Sequence, residues 1–350
     1  MVISVAALSR WHVHADEYAR AVRAFDGAEL TAVWDEDAAR GSAWGAELGV
    51  AFEPALTSVL ARTDIDAVLI TTPTNTHRQV IEAAANAGKH IFTEKVLAIS
   101  VDDARAIAAT VRRAGVRFCI SFPRQTIGAL RLAKQLIDSG ELGRPTVLRI
   151  RVAHDGSLKN WLPAHFYDAQ SCGGGAMIDL GAHGMYLAAW LLGEPLRIAS
   201  MFNTLTERAV EDNCVSVIEF ANGAMAINET SFVSGGGAFS VEIDGTEGGL
   251  RMLSPRDPLQ VRSVRRGDVR RWQQVELPPA LPLPIVCWLD SIAELKGGAD
   301  RGSAALLASE FGLDQALLLS EMMAAAYRAH RESRSVALRE IRDDAPHQSA

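Results

Sequence analysis

Ala67-Val68-Leu69-Ile70-Thr71-Thr72-Pro73-Thr74-Asn75-Thr76-His77 passes from a short apolar run into hydroxyl residues broken by proline and asparagine. A brief continuous apolar run bounded by turn residues is the pattern of a strand buried on both faces, and Thr, Pro and Asn are types that open helices. The Ala-rich residues 75–87 then carry helical spacing and lead into a second apolar run at 90–92. Strand, helix and strand in that order predict a parallel crossover unit.

The alternation continues on both sides. Residues 2–8 and 30–34 are apolar, and Tyr18, Ala21, Val22 and Phe25 give the segment between them a helical stripe; residues 101–114 are helical in pattern and 117–120 apolar. The expectation is an α/β domain, a doubly wound parallel sheet, over residues 1–122. Beyond it the pattern changes. A helical stretch at 127–137 is followed by alternating runs at 147–152, 198–202, 215–220, 224–230 and 239–243, which suit an antiparallel sheet. Asn222-Gly223 is a hairpin turn and Arg266-Gly267-Asp268 a second; the neighbouring Arg262, Arg265, Arg270 and Arg271 are read as a solvated face rather than an anion site. Residues 277–284 form a proline-rich connector before a helix at 285–295, a last helix at 304–328 is expected to pack the domains together, and the tail beyond Asp343 is polar. The second domain is assigned to residues 123–350.

Composition narrows the function classes. With 350 residues, 48% of them hydrophobic and 22% charged, the chain has material for two folded domains and no block that argues for disorder. A net charge of −7 opposes binding to nucleic acid or anionic membrane, both of which require clustered positive charge, and leaves small molecules as the expected partners. Cys119, Cys172, Cys214 and Cys287 are scattered without ligand spacing, so no disulfide framework and no metal site is assigned. No export signal or membrane span is read, and a cytoplasmic protein is expected.

In doubly wound sheets the ligand sits at the carboxyl ends of the strands. After the run at 30–34 comes Asp35-Glu36-Asp37, where a carboxylate can accept hydrogen bonds from an adenosine ribose and repel a 2′-phosphate, favouring NAD over NADP. The alternative is a helix N-cap with acidic first-turn residues. The first loop, Ala6-Ala7-Leu8-Ser9-Arg10-Trp11-His12-Val13-His14, has no glycine. Leu8 and Trp11 carry bulk that would block the usual pyrophosphate path, while Ser9, Trp11 and His12 are the candidates to bind cofactor there, aided by the amides of the following helix. Thr72, Pro73, Asn75 and His77 should border the cofactor as well, with a helix cap as the alternative.

Two further stretches, Gly88-Lys89-His90-Ile91-Phe92-Thr93-Glu94-Lys95 and Gly173-Gly174-Gly175-Ala176-Met177-Ile178-Asp179-Leu180-Gly181-Ala182-His183, complete a set. With residues 71–77 they resemble the glucose–fructose oxidoreductase/inositol dehydrogenase/rhizopine catabolism (Gfo/Idh/MocA) family. The resemblance implies a Rossmann domain, then a domain with a large, mostly antiparallel sheet flanked by helices, with NAD between them and a homodimer or homotetramer as the assembly. It maps the family's Glu-Lys-Pro onto Glu94-Lys95-Val96, placing Lys95 beside the nicotinamide and replacing an often cis proline by Val96. It maps Asp-x-x-x-His onto Asp179 and His183, with Tyr186 where an aspartate is frequent.

The chemistry suits these types. Oxidising a secondary alcohol requires a base for the hydroxyl proton, and His183 is the candidate because the unperturbed pKa of a histidine, about 6.5, lies near working pH. Lys95 can stabilise negative charge on the oxygen, and Asp179, four residues before His183 on one helix face, can bind a neighbouring hydroxyl or relay the proton. Arg124, Trp161 and His165 are substrate candidates. The expected function is NAD-dependent oxidation of a sugar, cyclitol or related polyol. The alternatives are a redox-neutral lyase or epimerase that retains NAD, and a non-catalytic family member.

Overall fold

The structure is a computed structural model that describes residues 2–236, 238–254 and 257–344. The last residues of the polar tail therefore lie outside the described part. The chain divides into two compact units: residues 1–122 with 282–320, and residues 123–281 with 321–350.

The first unit runs β1 (Ile3–Leu8), α1 (Ala15–Ala24), β2 (Ala28–Trp34), α2 (Ala38–Leu48), β3 (Ala51–Phe52), α3 (Leu56–Ala61), β4 (Ala67–Ile70), α4 (His77–Asn86), β5 (His90–Thr93), α5 (Val101–Ala114) and β6 (Phe118–Ile120). All strand pairs in its sheet are parallel, in the order β3-β2-β1-β4-β5-β6. The reversal falls between β1 and β4, where such folds bind dinucleotides. Local chemistry sets the helix ends. In α5 the Ser100 hydroxyl accepts the Asp103 amide, Asp102 and Asp103 fill the first turn, Arg112 and Arg113 the last, and Gly115 closes the helix at φ 67°.

The contiguous second domain expected from residue 123 onward is interrupted. The helix α9 (Pro284–Leu295) belongs to the first unit, where the fully buried Trp288 packs on Phe92 at 5.8 Å between ring centroids. Its apolar pattern announces burial without saying against which sheet. The helix expected at 304–328 is also broken: α10 (Ser303–Leu306) runs into a π-turn at Leu307–Phe311, Gly312 is extended, and α11 (Leu313–Glu332) follows.

The second unit contains α6 (Gly128–Asp138), β7 (Pro145–Ala153), the short α7 (Ala169–Cys172), α8 (Ala182–Leu192), β8 (Pro195–Asn203), β9 (Asn213–Phe220), β10 (Met225–Ser231), β11 (Ala238–Gly245), β12 (Gly248–Met252), β13 (Gln260–Ser263), β14 (Gln273–Gln274), β15 (Val336–Ala337) and α12 (Leu338–Asp343). Its nine strands are ordered β14-β13-β12-β11-β7-β10-β9-β8-β15. Every pair is antiparallel except β7 with β10. One face carries α8, and Gly184 gives the close approach: a Cβ there would lie 2.0 Å from the Asn228 side chain on β10.

Candidate active site

The glycine-free loop solves its turn with a serine. Ser9 adopts φ 76°, the left-handed conformation glycine usually supplies. Its Oγ accepts the Trp11 amide at 3.0 Å and donates to Glu36 at 3.0 Å, so local hydrogen bonds offset the backbone cost. Leu8 is fully buried as the last residue of β1, so its bulk sits in the core and not in the loop as expected. The loop is tied to β4 by the His12 amide donating to Thr71 O at 3.1 Å and by Thr71 Oγ1 donating to Ser9 O at 2.6 Å.

Asp35 is a fully buried carboxylate. It accepts the amides of Arg10 and Asp37, each at 2.8 Å, and is bracketed by the Arg40 guanidinium at 2.9 and 2.6 Å. Arg40 also reaches Glu36 at 2.6 Å. The acidic triplet is thus partly neutralised from within. Asp37 is the N-cap of α2, accepting from Ala39 and Arg40, so the capping reading applies to that residue while Asp35 faces the first loop.

At the end of β4 the Thr72 hydroxyl is buried without a hydrogen-bond partner among the described residues. A buried hydroxyl left unpaired calls for an explanation, and a ligand at the carboxyl end of β4 would supply one. Pro73 is buried and Asn75 exposed on a 3-10 turn, Thr74–Thr76. His77 lies behind them, buried, its ring between Thr72 O at 3.2 Å and the carbonyls of Val96 at 3.1 Å and Leu97 at 3.2 Å. It braces the segment after Lys95.

Lys95 follows β5, and its peptide bond to Val96 is cis even without the family's proline. Glu94 Oε2 accepts the Lys95 amide at 2.9 Å, and Oε1 accepts from His14 Nδ1 at 2.8 Å and from the Tyr18 hydroxyl. Burial alone would raise the Glu94 carboxyl; the positive charges and hydrogen bonding of His12, His14 and Lys95 hold it well below the usual carboxylate range.

In the second unit the structure brings Arg124, Asp179 and His183 together with two residues the sequence did not assign a role, Tyr186 and His154. Asp179 sits on a π-turn, Met177–Gly181, that continues into α8, whose first turn carries His183. His183 Nδ1 is 3.0 Å from Tyr186 Oη, which accepts the Arg124 amide at 3.3 Å. The Arg124 guanidinium lies 4.2 Å over the Phe239 ring, and its Nε is buried without a partner among the described residues. Burial lowers the Arg124 pKa, against the pull of Tyr186 and Asp179. His154 stacks on Phe232 at 4.9 Å and meets Trp161 at 4.7 Å; Trp161 is 53% exposed and donates to Asp155 at 2.9 Å. His165 lies on the 3-10 turn Ala164–Tyr167, its ring stacked on Phe166 at 4.7 Å between centroids. His154 follows β7 directly, and that strand-end position was its only signal in the sequence.

His154 and His90 each accept a backbone amide at Nδ1, from Gly156 and Arg117, both at 3.0 Å. Burial lowers both imidazoles, so the fold holds them neutral. The unfolded chain takes up their protons below about pH 6.5, so this stability is complete above that value and is lost as pH falls from it toward the folded values. Urea denaturation between pH 7 and 5.5 should show a decline of at most about 1.4 kcal/mol per pH unit for each group, reduced in His90→Asn and His154→Asn. An unchanged slope in both variants would refute the assignment.

Residues 12–122 match the oxidoreductase family with an NAD-binding Rossmann fold, and residues 130–251 match the GFO/IDH/MocA C-terminal domain. The chain is 33% identical over 237 residues to scyllo-inositol 2-dehydrogenase (NAD(+)) of Bacillus subtilis (strain 168), covering 65% of this chain and 67% of that one. It is 29% identical over 268 residues to 1,5-anhydro-D-fructose reductase of Ensifer adhaerens, covering 74% and 78%. An NAD binding oxidoreductase from Klebsiella pneumoniae has the same fold, with a TM-score of 0.78 at 24% identity over 97% of this chain and 99% of that chain. With the strand order of the first unit and the mostly antiparallel sheet of the second, these matches establish that the chain belongs to the Gfo/Idh/MocA family and is an NAD-dependent oxidoreductase.

Proposed function

We propose that the chain moves a hydride between NAD and a secondary hydroxyl of a sugar, cyclitol or related polyol, with Lys95, Asp179 and His183 as its catalytic residues. The observation that carries this is the pinning of His183: its Nδ1 lies 3.0 Å from Tyr186 Oη, and in the tautomer whose Nδ1–H donates to that oxygen the opposite nitrogen holds the lone pair a base needs. Tyr186 Oη has two lone pairs and can accept both His183 and the Arg124 amide. Asp179 would bind a neighbouring hydroxyl, Arg124 a further polar substrate group, and Trp161 and His165 would line the sugar's approach. The relatives named for inositol and anhydrofructose support this substrate class.

The first unit fits the dinucleotide. Thr72 offers an orphaned hydroxyl at the switch point, the turn at Ser9 leads toward the N-terminal, positive end of the α1 dipole, and Asp35, held just after β2 by the Arg10 amide, is the carboxylate a ribose would meet. NAD, when bound, supplies the hydride acceptor. Ser9, Trp11, His12, Pro73, Asn75 and Glu94 would shape the remaining contacts, and His77 would act by bracing the Lys95 segment. Asp35→Ala should raise KM for NAD about tenfold and narrow the preference over NADP, since the charged acceptor is gone and Arg40 is left to meet a 2′-phosphate.

The deciding assay follows reduced-nicotinamide absorbance while polyols are offered with NAD. Signal growth with a polyol supports the reading; turnover without net signal would favour a redox-neutral lyase or epimerase; absence of NAD binding in calorimetry would refute both. The second unit also exposes Met201 (77%), Val215, Val217 and Met225 on one sheet face, which supports self-association as a dimer or tetramer. Light scattering of Met201→Lys should show a smaller species than the wild type. A cytoplasmic location is proposed on the cysteines, none of which is disulfide-bonded.

A further inference from the structure

We propose that His12, His14 and Glu94 form a binding site for a zinc-class divalent cation. The sequence assigned no metal, because Glu94 lies 80 residues beyond His14 and only the fold joins them. Their donor atoms all lie within 4.8 Å of one another. Glu94 Oε1 is 2.8 Å from His14 Nδ1 and 3.7 Å from His12 Nδ1. A tetrahedral ion with bonds of about 2.0–2.2 Å sets its donors roughly 3.3–3.6 Å apart, so small side-chain adjustments complete the geometry.

The donor chemistry and its surroundings agree. Two imidazoles and a carboxylate are borderline ligands that suit zinc and its first-row neighbours rather than magnesium or calcium, which take oxygen alone. Metal-binding carboxylates are held by outer partners, and here Tyr18 and the Lys95 amide both donate to Glu94, with Tyr18 Oη a further 2.7 Å from Ser121 Oγ. His12 and Glu94 are buried, whereas the His14 side chain is 38% exposed and gives the ion an entry path. His12 Nδ1 accepts the His14 amide at 3.3 Å, a long bond that a cation would replace. Three protein donors leave a position for water or an anionic oxygen, as in open zinc sites. The site closes the loop after β1 onto the end of β5; it shares His12 and Glu94 with the proposed NAD contacts, and the metal titration, made without NAD, tests it apart from that reading.

The full chain, stripped with a chelator, is titrated with Co2+ alone. The expected result is one equivalent bound with a visible ligand-field band that Zn2+ abolishes by displacement. His12→Ala and His14→Ala should each weaken binding by more than the roughly 10–100-fold that loss of an outer partner costs, while His165→Ala keeps the band. Wild-type protein that is folded yet shows no saturable binding overturns the site, as does a band that survives the double His12→Ala/His14→Ala change. If the variants do not fold, proton NMR of the Co2+ form decides: shifted ring protons from two histidines support the site, and from one or none refute it.

Discussion

His183→Ala should lower kcat by about 10²–10⁴-fold, the range over which a positioned general base contributes. The proposed base is buried, and its Nδ1 is committed to Tyr186, so the ring cannot turn without breaking that bond. A water replacing the imidazole would be a weaker and less oriented base. NAD affinity should change little, because the proposed NAD contacts, Asp35 and Thr72 among them, belong to the other compact unit. KM for the polyol should also move less than kcat, since the loss falls mainly on the transition state. Lys95→Ala should be damaging too, because the proposed stabiliser of negative charge on the oxygen is gone. Stopped-flow turnover with circular dichroism of each variant separates lost chemistry from lost folding.

The parallel sheet was legible because strands buried on both faces are written as unbroken apolar runs, as in residues 67–70, and the helices between them have a clear stripe. What the pattern could not give was partnership. Residues 285–295 are apolar enough to be buried anywhere, and only the packing of Trp288 on Phe92 attaches them to the first unit. The proposed site was legible where neighbouring residues carry it, as with Asp179 on the π-turn and His183 on the helix that continues it, whose spacing is local. Contacts between distant segments were not: Tyr186 meeting the Arg124 amide, and Glu94 meeting His14, join residues with no sequence relation. The first loop failed for a different reason. Glycine is the usual carrier of a left-handed turn, and a serine whose hydroxyl serves both Trp11 and Glu36 gives no compositional sign that it has taken that role.

Gly175→Ala should destabilise the second unit by about 3 kcal/mol, the upper end of what overpacking costs. A Cβ at this position would lie 2.2 Å from the Glu211 carbonyl oxygen and 2.7 Å from a Val210 methyl. The first of these is backbone, so it cannot swing aside as a flexible side chain could. Glu211 is itself pinned, because its carboxylate accepts the Gly175 amide at 2.9 Å, the Met177 amide at 3.1 Å and the Tyr327 hydroxyl at 2.6 Å. Relief must therefore come from moving the glycine segment, and that segment leads into the proposed site: the Asp179 amide donates to Gly175 O at 3.1 Å. Stability and turnover should consequently fall together in the folded fraction. Gly115→Ala is the control, since Gly115 has φ 67° in the left-handed region but nothing within 4 Å of its Cβ position. It should carry only the left-handed backbone cost, about 1–2 kcal/mol, with kcat unchanged. Urea midpoints and kcat measured side by side discriminate the cases. Equal destabilisation in the two variants, or full activity in folded Gly175→Ala, would show that the glycine run is not what positions Asp179.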